Sequence, residues 1–412
     1  GLKHAGSDSP GFFCLQHALW RMLLNRLLEG ERKKLPKHRA GRRRREHARK
    51  IMKPGQFFSV NYQQARQKFL NAARVAGAEI DSFENSCSGV GGAGLFTDVA
   101  SLGPANAENV LVLISGTHGV EGFAGSGIQS GLLSTEPAEA TGHKVRLVMI
   151  HALNPYGFAF LRRTNENNVD LNRNFVDHDQ PYPINHEYEK LSKLVAPESI
   201  SAPANTWAAL RLLWFRFAYG KEKLQRVVTQ GQYAHPDGLF FGGHFATWSN
   251  QTLHEIVTRH LAGAARVMII DLHTGLGPYG EAEIIMNDPE HDPAYQRAVA
   301  CWGQERVKST VSGESVSSHL SGTVKLAFLR MLAGIEVTAV GLEFGTSPPI
   351  EVFKALREEN WLFHHGRENH PQAARIKQQF LKMFYPGDDA WNQSVWEQGA
   401  LTVRQALAAL DE

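Results

Sequence analysis

Residues 109–122 have the sequence NVLVLISGTHGVEG and join an apolar run to a glycine-rich turn. The run at 110–115 is β-branched and aliphatic, which is typical of a central strand in a parallel sheet. The turn that follows carries His118 and Glu121, and its glycines allow the backbone to approach a ligand or a metal ion closely. This stretch therefore predicts a buried strand whose end presents an imidazole and a carboxylate.

A second histidine ends another apolar run, in residues 267–275, which have the sequence VMIIDLHTG. Together His118, Glu121 and His273 supply two imidazoles and one carboxylate, the ligand set of a catalytic zinc site with a fourth position left for water. A His-x-x-Glu pair alone is a weak signal, because a loop histidine bonded to the backbone is the more common explanation. Its place directly after a strand, in a glycine-rich turn, favours a metal site. By analogy with other catalytic sites of this ligand set, we expect one Zn²⁺ ion per chain.

Helix-like stretches alternate with short apolar strands from about residue 54 to the end of the chain. Such alternation predicts a single three-layer α/β/α domain with a mixed, largely parallel, twisted central sheet. The predicted strands are 110–115, 145–151, 267–272 and 337–344, with 282–286 and 323–328 as further candidates. The predicted helices are 62–76, 122–133, 206–228, 293–309, 351–365, 371–383 and 391–410.

The candidate site residues lie at the carboxyl ends of the predicted strands. His118 follows one strand, His273 ends another, and Glu343 lies near the end of a third. In open α/β sheets, ligands bind at that edge. The sequence therefore predicts that these residues meet in one site.

Charge is distributed unevenly along the chain. Hydrophobic residues make up 42% and charged residues 21%, as in a globular protein, and the net charge is +3. Residues 1–53 hold 15 Lys/Arg against 4 Asp/Glu, whereas residues 54–412 carry a balance of −8. Because a like-charge block stays solvated, residues 1–53 are predicted to be a basic, disordered extension and residues 54–412 the catalytic domain.

Other interpretations of the basic extension stay open. It could contact nucleic acid or anionic lipid, although no aromatic platform accompanies the charge, and no nucleic acid is expected on the catalytic domain. Met52 could also be the natural start, with residues 1–51 additional. The apolar stretch at 12–28 is too short and too charged to span a membrane. Three widely spaced cysteines indicate free thiols in a reducing compartment, which predicts a cytoplasmic protein.

A polar constellation occupies residues 162–175, which have the sequence RRTNENNVDLNRNF. A solvated loop is the simple explanation. An arginine fork, however, is the side chain best shaped to hold a carboxylate in two parallel hydrogen bonds. Asn172, next to Arg173, could add a neutral donor.

These motifs occur in an order that resembles the zinc carboxypeptidase (carboxypeptidase A-type) metallopeptidase family, and more narrowly an uncharacterised bacterial branch of it. The order is His-x-x-Glu, then Arg-x-Asn and VDLNRNF, a distant histidine at a strand end, and a late glutamate. Three further segments carry the resemblance: GQYAHPDGLF at 231–240, DLHTGLG at 271–277 and GLEFGT at 341–346. The resemblance runs from about Met52 to the end of the chain.

The resemblance implies a role for each matching residue. It makes His118, Glu121 and His273 the zinc ligands, Glu343 the general base and Arg163 the stabiliser of the oxyanion. It also makes Asn172 and Arg173 the pair that binds the substrate carboxylate, and Asp170 the acid that orients the first zinc histidine. The tyrosine that digestive-type members use as a mobile lid has no counterpart here, so Tyr233 or His319 is the candidate substitute, with Tyr233 assigned to substrate binding.

The predicted activity is hydrolysis of an amide bond next to a free carboxylate, by a metallocarboxypeptidase-type peptidase acting on a peptide. The alternative is an N-acyl amino acid deacylase of the aspartoacylase or succinylglutamate desuccinylase type, which shares the zinc and arginine sets. A non-enzymatic binding module on a decayed hydrolase fold is less favoured, because a decayed site should have lost a ligand or the base. Sequence does not separate the first two.

Overall fold

A sheet of eight strands runs through the described part of the computed structural model. The structure describes residues 54–135, 144–311, 320–366 and 369–412, which lie within one compact unit, Lys53–Glu412. The strands are β1 (Glu79–Ser88), β2 (Gly94–Leu102), β3 (Asn109–Ile114), β4 (Val145–His151), β5 (Arg266–Tyr279), β6 (Ala282–Met286), β7 (Val307–Ser309) and β8 (Glu336–Gly345). Their order across the sheet is β1-β2-β4-β3-β5-β8-β6-β7.

The four central strands are parallel, and both edges of the sheet are mixed. β4, β3, β5 and β8 run in one direction. At one edge β2 is antiparallel to both β4 and β1. At the other edge β6 is antiparallel to β8 and parallel to β7. The carboxyl ends of β3, β5 and β8 therefore meet at the same edge of the sheet.

Helices cover both faces of the sheet. They are α1 (Tyr62–Ala76), α2 (Gly122–Thr135), α3 (Pro155–Ala159), α4 (Leu171–Asn174), α5 (His186–Val195), α6 (Ala202–Tyr219), α7 (Lys221–Thr229), α8 (Trp248–His260), α9 (Pro293–Trp302), α10 (Val324–Met331), α11 (Pro349–Trp361), α12 (Ala373–Phe384) and α13 (Asp389–Asp411). Short 3-10 turns lie at Pro54–Gln56, Val90–Gly92 and Gly119–Glu121, and a π-helical turn at Leu362–Gly366.

The central strands are apolar on both sides because each face packs against its own helical layer. Along β3, Leu111 and Leu113 enter one core cluster with residues of α1, α2, α9 and α13. Val112 and Ile114 enter another cluster with residues of α8 and α10. Successive side chains of a strand point to opposite faces, so one uninterrupted apolar run supplies both cores. The predicted three-layer α/β/α domain with a mixed, largely parallel sheet is confirmed.

Three predicted elements differ from the structure. The candidate strand 323–328 is wrong, since these residues begin α10, where the Thr323 side chain accepts a hydrogen bond from the Leu326 N–H and caps the helix. The predicted helix 206–228 is interrupted at Gly220, whose φ of 91° ends α6 and precedes α7. The predicted helix 293–309 ends at Trp302, and β7 follows it.

Two strands were not predicted at all: β1, at the edge of the sheet, and β2, which pairs with both β1 and β4. β1 has the polar sequence EIDSFENSCS and is largely exposed, so it lacks the apolar run that identifies the central strands. Among the described residues, no helix combines the length and the apolar character needed to cross a membrane.

Candidate metal centre

The turn after β3 presents His118 and Glu121 at the carboxyl edge of the sheet. β3 ends at Ile114, and the 3-10 turn Gly119–Glu121 follows directly. Two backbone hydrogen bonds hold this turn: the Gly119 N–H donates to the Arg163 carbonyl and the Val120 N–H donates to the Arg162 carbonyl. The polar segment at 162–175 thus supports the turn with two of its backbone carbonyls.

Gly119 is needed because another backbone lies against it. A Cβ at this position would be 2.0 Å from the carbonyl carbon of Gly157 in α3. Neither chain can yield easily, since the neighbouring atom is backbone. The close packing of the turn on α3 therefore requires glycine at residue 119.

The three predicted ligands lie together. Nδ1 of His118 is 2.9 Å from Oε1 of Glu121, and Nδ1 of His273 is 2.9 Å from Oε2 of the same carboxylate. One ligand atom from each residue lies within 4.8 Å of the others, and all three residues are buried. The two ring centroids are 4.9 Å apart. Two imidazole nitrogens and a carboxylate this close together fit the donor preferences of zinc.

Each histidine also meets a carboxylate at its other ring nitrogen. Nε2 of His118 lies 3.2 Å from Asp170, and Nε2 of His273 lies 2.8 Å from Asp271. The Thr117 hydroxyl donates to Asp271 at 2.7 Å, which connects the turn after β3 to β5. Such carboxylate partners orient a metal-bound imidazole and raise its basicity.

Asp271 was missed by sequence reasoning, although a signal was present. It precedes His273 by two residues in a strand, and residues two apart lie on the same face. The DLH motif could therefore have identified it. Asp170 was predicted, and its carboxylate also accepts a hydrogen bond from the Asn172 N–H at 3.0 Å.

The buried charged groups of this site shift one another's pKa values. Burial alone would raise the pKa of Glu121, but the His118 and His273 imidazoles lower it below its ordinary value. Burial alone would lower the pKa of His273, but Asp271 and then Glu121 raise it well above its usual range. Burial alone would raise the pKa of Asp170, but Arg163 and then Arg173 lower it well below its ordinary value.

Arg163 lies against two of the site's acids. It donates to Glu121 at 3.1 Å and to Asp170 at 3.1 Å, and its Nη2 is 2.8 Å from Nε2 of His118. Its side chain is 16% exposed, whereas that of Glu121 is 2% exposed. Asp170 and Glu121 keep the pKa of Arg163 above its ordinary value against the effect of burial. The arginine is therefore a fixed positive charge at the site that a substrate could reach.

Asn172, Arg173 and Tyr233 lie deeper. Asn172 accepts a hydrogen bond from the Val324 N–H at 3.0 Å, and its amide nitrogen is 3.5 Å from Nε2 of His273. Arg173 is 3% exposed and donates to the carbonyls of Asn172 and Thr229. The Nε atom of Arg173 is buried and has no hydrogen-bond partner among the described residues. The Tyr233 hydroxyl donates to the Arg173 carbonyl at 2.6 Å.

Glu343 lies beside His273, as its partner in the register of β5 and β8. It is half-buried, and its Oε1 accepts a hydrogen bond from the Leu276 N–H at 3.0 Å. Burial and then the negative charge of Glu121 raise the pKa of Glu343 to about 7. A carboxyl group with this pKa can both accept and return a proton near neutral pH.

Lys325 is a second residue that sequence reasoning missed. Its ammonium donates to the Ile285 carbonyl at 3.1 Å, and a Cβ on Gly341 would lie 3.5 Å from Nζ. Burial lowers the pKa of Lys325 to about 8, against the nearby acids Asp271, Asp288 and Glu343. Sequence reasoning missed Lys325 because its segment, which forms α10, was wrongly predicted to be a strand.

Neither Tyr233 nor His319, the two candidates for a mobile lid group, is shown to be one. His319 lies outside the described residues. Tyr233 is held in place, because its hydroxyl donates to the Arg173 carbonyl.

Fold and site together define a three-layer α/β protein with a buried His-Glu-His cluster, a candidate metal centre, at the carboxyl edge of its sheet. The chain belongs to the family described as Protein of unknown function (DUF2817), whose model matches residues 58–398. No curated protein sequence matches the chain.

Several solved structures are similar to this chain over most of its length. Bovine thrombin-activatable fibrinolysis inhibitor, in complex with tick carboxypeptidase inhibitor, is 11% identical, with 85% of this chain and 97% of that chain covered and a TM-score of 0.45. Carboxypeptidase A from Helicoverpa armigera is 12% identical, with 83% and 73% covered and a TM-score of 0.43. Succinylglutamate desuccinylase from Chromobacterium violaceum is 16% identical, with 77% and 74% covered and a TM-score of 0.34. A carboxypeptidase, the class that the sequence motifs resemble, is among these structures.

Proposed function

We propose that this chain is a zinc-dependent hydrolase that cleaves an amide bond next to a free carboxylate, as a metallocarboxypeptidase-type peptidase. One observation carries the proposal: ligand atoms of His118, Glu121 and His273 lie within 4.8 Å of one another. Glu343 stands on the adjacent strand, in register with His273. Two imidazoles, one carboxylate and a neighbouring acid are the parts that metal-assisted hydrolysis needs.

Glu343 is assigned the role of general base. A zinc ion, when bound, would supply a water of lowered pKa and a Lewis acid for the amide carbonyl. Glu343 would take a proton at its carboxylate and return it to the departing amine. Its Oε1 is already oriented by the Leu276 N–H, and its raised pKa of about 7 suits both steps.

Arg163 is assigned to the oxygen where negative charge develops. Its guanidinium is held by Glu121 and Asp170, so it does not have to reorganise during the reaction. A positive charge that is fixed before the reaction stabilises such an oxyanion efficiently.

Arg173 and Asn172 are assigned to the substrate carboxylate, with Tyr233 as their neighbour. The free donor of Arg173, its Nε, supports this role, because a buried guanidinium with an unused N–H can accept an anionic partner. Tyr233 holds the backbone of Arg173 in place. The proposed substrate is thus a peptide or an N-acyl amino acid with a free carboxylate.

Metal analysis of the purified protein and a Glu343→Gln variant test this proposal. We expect one zinc ion per chain, amide hydrolysis that stops on chelation, and a variant that retains the metal while turnover falls by about 10²–10⁴-fold, the usual contribution of a general base. Glu336→Gln, at the other end of β8, is the matched control and should leave turnover unchanged. Hydrolysis that continues after the metal has been removed would overturn the proposal.

The substrate class needs a separate comparison, between blocked dipeptides and N-acyl amino acids. Release of the terminal residue from dipeptides alone supports the peptidase. Cleavage of N-acyl amino acids alone would assign the chain to the deacylases, with the same zinc ligands and the same base.

A further inference from the structure

Helix α6 exposes a continuous apolar surface. Trp207, Leu210, Trp214 and Phe217 follow one another at intervals of three, four and three residues, which places them in one stripe along the helix. Each is more than half exposed, and Phe217 is 90% exposed. Large apolar side chains in a contiguous exposed patch of this kind mark an interaction site.

Only a narrow side of α6 faces the protein. Ala208 and Phe215 are its buried residues, and they join a core cluster with Val227 and Val228 of α7. The helix therefore has a second apolar face that no core in the described part of the chain uses. Packing of the domain explains the first face and leaves the stripe unexplained.

The charge around the stripe is positive. α6 contains Arg211 and Arg216 and no Asp or Glu. With α7 included, residues 202–229 hold five Lys/Arg and one Glu, in a domain whose balance is −8. The Arg211 guanidinium lies 5.7 Å and 5.9 Å from the ring centroids of Trp207 and Trp214, so the positive charge sits within the apolar stripe itself.

This combination fits an anionic phospholipid surface. Tryptophan and tyrosine rings favour the boundary between headgroups and acyl chains. Helices that lie in this boundary combine such rings with leucine and phenylalanine on one side and arginine or lysine that reaches the phosphates. Tyr219, 51% exposed at the end of the helix, extends the same chemistry.

A second copy of the chain fits less well. A two-fold interface centred on the stripe brings the same residues of both copies together. Arg211 and Arg216 would then face their own counterparts, and α6 offers no carboxylate to pair with them. Desolvating unpaired like charges is costly.

We propose that α6 docks the protein on an anionic phospholipid bilayer. The helix lies along the surface, with Trp207, Leu210, Trp214 and Phe217 between the headgroups and the two arginines at the phosphates. The proposal is independent of the hydrolase activity, because α6 contributes none of the metal-centre residues.

Co-sedimentation of the full chain with vesicles tests the proposal. We expect binding to vesicles that contain phosphatidylglycerol and little binding to vesicles of phosphatidylcholine alone. The double variant Trp214→Gln/Phe217→Gln, which changes no charge, should weaken binding about tenfold or more, because two large apolar side chains leave the interface. Val75→Gln and Ile350→Gln, which replace exposed apolar residues elsewhere, should bind like the unaltered protein.

The other outcomes each overturn the proposal. Binding that the double variant retains and high salt abolishes would assign the contact to the basic residues 1–53. Equal binding to both kinds of vesicle would remove the role of charge. A dimer in sedimentation velocity that the double variant dissociates, without vesicle binding, would identify a second copy as the occupant.

Discussion

At the scale of the residue, the second nitrogen of each imidazole explains why the metal centre has its geometry. A histidine can bind a metal through Nδ1 only if that nitrogen presents its lone pair, and a carboxylate at Nε2 stabilises the required tautomer. Nε2 of His118 is shared between Asp170 and Arg163. At His273 the nearest partner of Nε2 is the carboxylate of Asp271, at 2.8 Å. A change at Asp271 therefore tests how much a carboxylate that orients the imidazole contributes to metal binding.

We expect Asp271→Asn to weaken zinc binding about 10–100-fold, because an amide no longer stabilises the same imidazole tautomer. Competition with a chromophoric chelator measures the change. Asp81 is a half-exposed carboxylate of β1 that pairs with Arg259, and Asp81→Asn, as the control, should bind zinc like the unaltered protein. An unchanged dissociation constant for Asp271→Asn, in a folded protein, would show that Asp271 does not orient the ligand.

At the scale of the element, the site depends on how the turn Gly119–Glu121 lies against its neighbours. Backbone hydrogen bonds to Arg162 and Arg163 hold it on one side, and α3 packs on the other. The hydroxyl of Thr117 connects the same turn to β5. Two ligands of the cluster are thus positioned by one short element whose support comes from three different segments.

Gly119→Ala should displace this turn, since the added Cβ would lie 2.0 Å from the Gly157 carbonyl carbon. We expect a loss of about 1–3 kcal/mol in the free energy of unfolding, as for other overpacked positions, together with weaker zinc binding. Gly55→Ala, whose Cβ would meet no atom closer than 3.5 Å, is the matched control. Thermal melts and zinc titrations of the two variants provide the comparison, and equal behaviour would contradict the packing argument.

Prediction of elements succeeded where local sequence carries the signal. β3, β4, β5 and β8 were found because strands buried on both faces are continuously apolar. β1 was missed because its edge position tolerates a polar sequence, and β2 was missed because Thr97, Asp98 and Ser101 interrupt its apolar residues. Residues 323–328 were assigned the wrong state because a short apolar run suits either a strand or a helix, and the cap at Thr323 decides the outcome.

At the scale of the whole molecule, the three layers bury polar groups far from solvent. His151 at the end of β4 is fully buried, with its ring stacked on Phe69 of α1 at 4.5 Å and its Nε2 2.9 Å from the Ser126 hydroxyl of α2. Burial lowers the pKa of His151 to about 4, and the opposing charge of Asp98 is the next contribution. The folded protein therefore holds this imidazole neutral between two helices and the sheet.

The stability of the protein should fall as the pH falls from about 6.5 to about 4, because the unfolded chain then takes up a proton at residue 151 that the folded chain excludes. At pH 5 this group should account for about 2 kcal/mol of the loss. Urea unfolding at pH 7 and pH 5 measures it, with His151→Gln as the comparison that lacks the titrating group. An equal pH effect in both proteins would refute the assignment to His151.

The sequence by itself determined the layered α/β class, the central strands and the identity of the candidate ligands. These depend on local composition, since apolar runs, glycine-rich turns and the order of His, Glu and Arg are visible without any long-range contact. Only the tertiary structure decided which groups surround those ligands. Lys325 comes near Glu343 because α10 packs against β8. Thr117 reaches Asp271 because β3 and β5, which are distant in the chain, are neighbours in the sheet. The exposure of the apolar stripe on α6 is also decided by tertiary structure. Its aromatic composition is visible in the sequence, but whether an apolar helix is covered depends on what the rest of the chain packs against it.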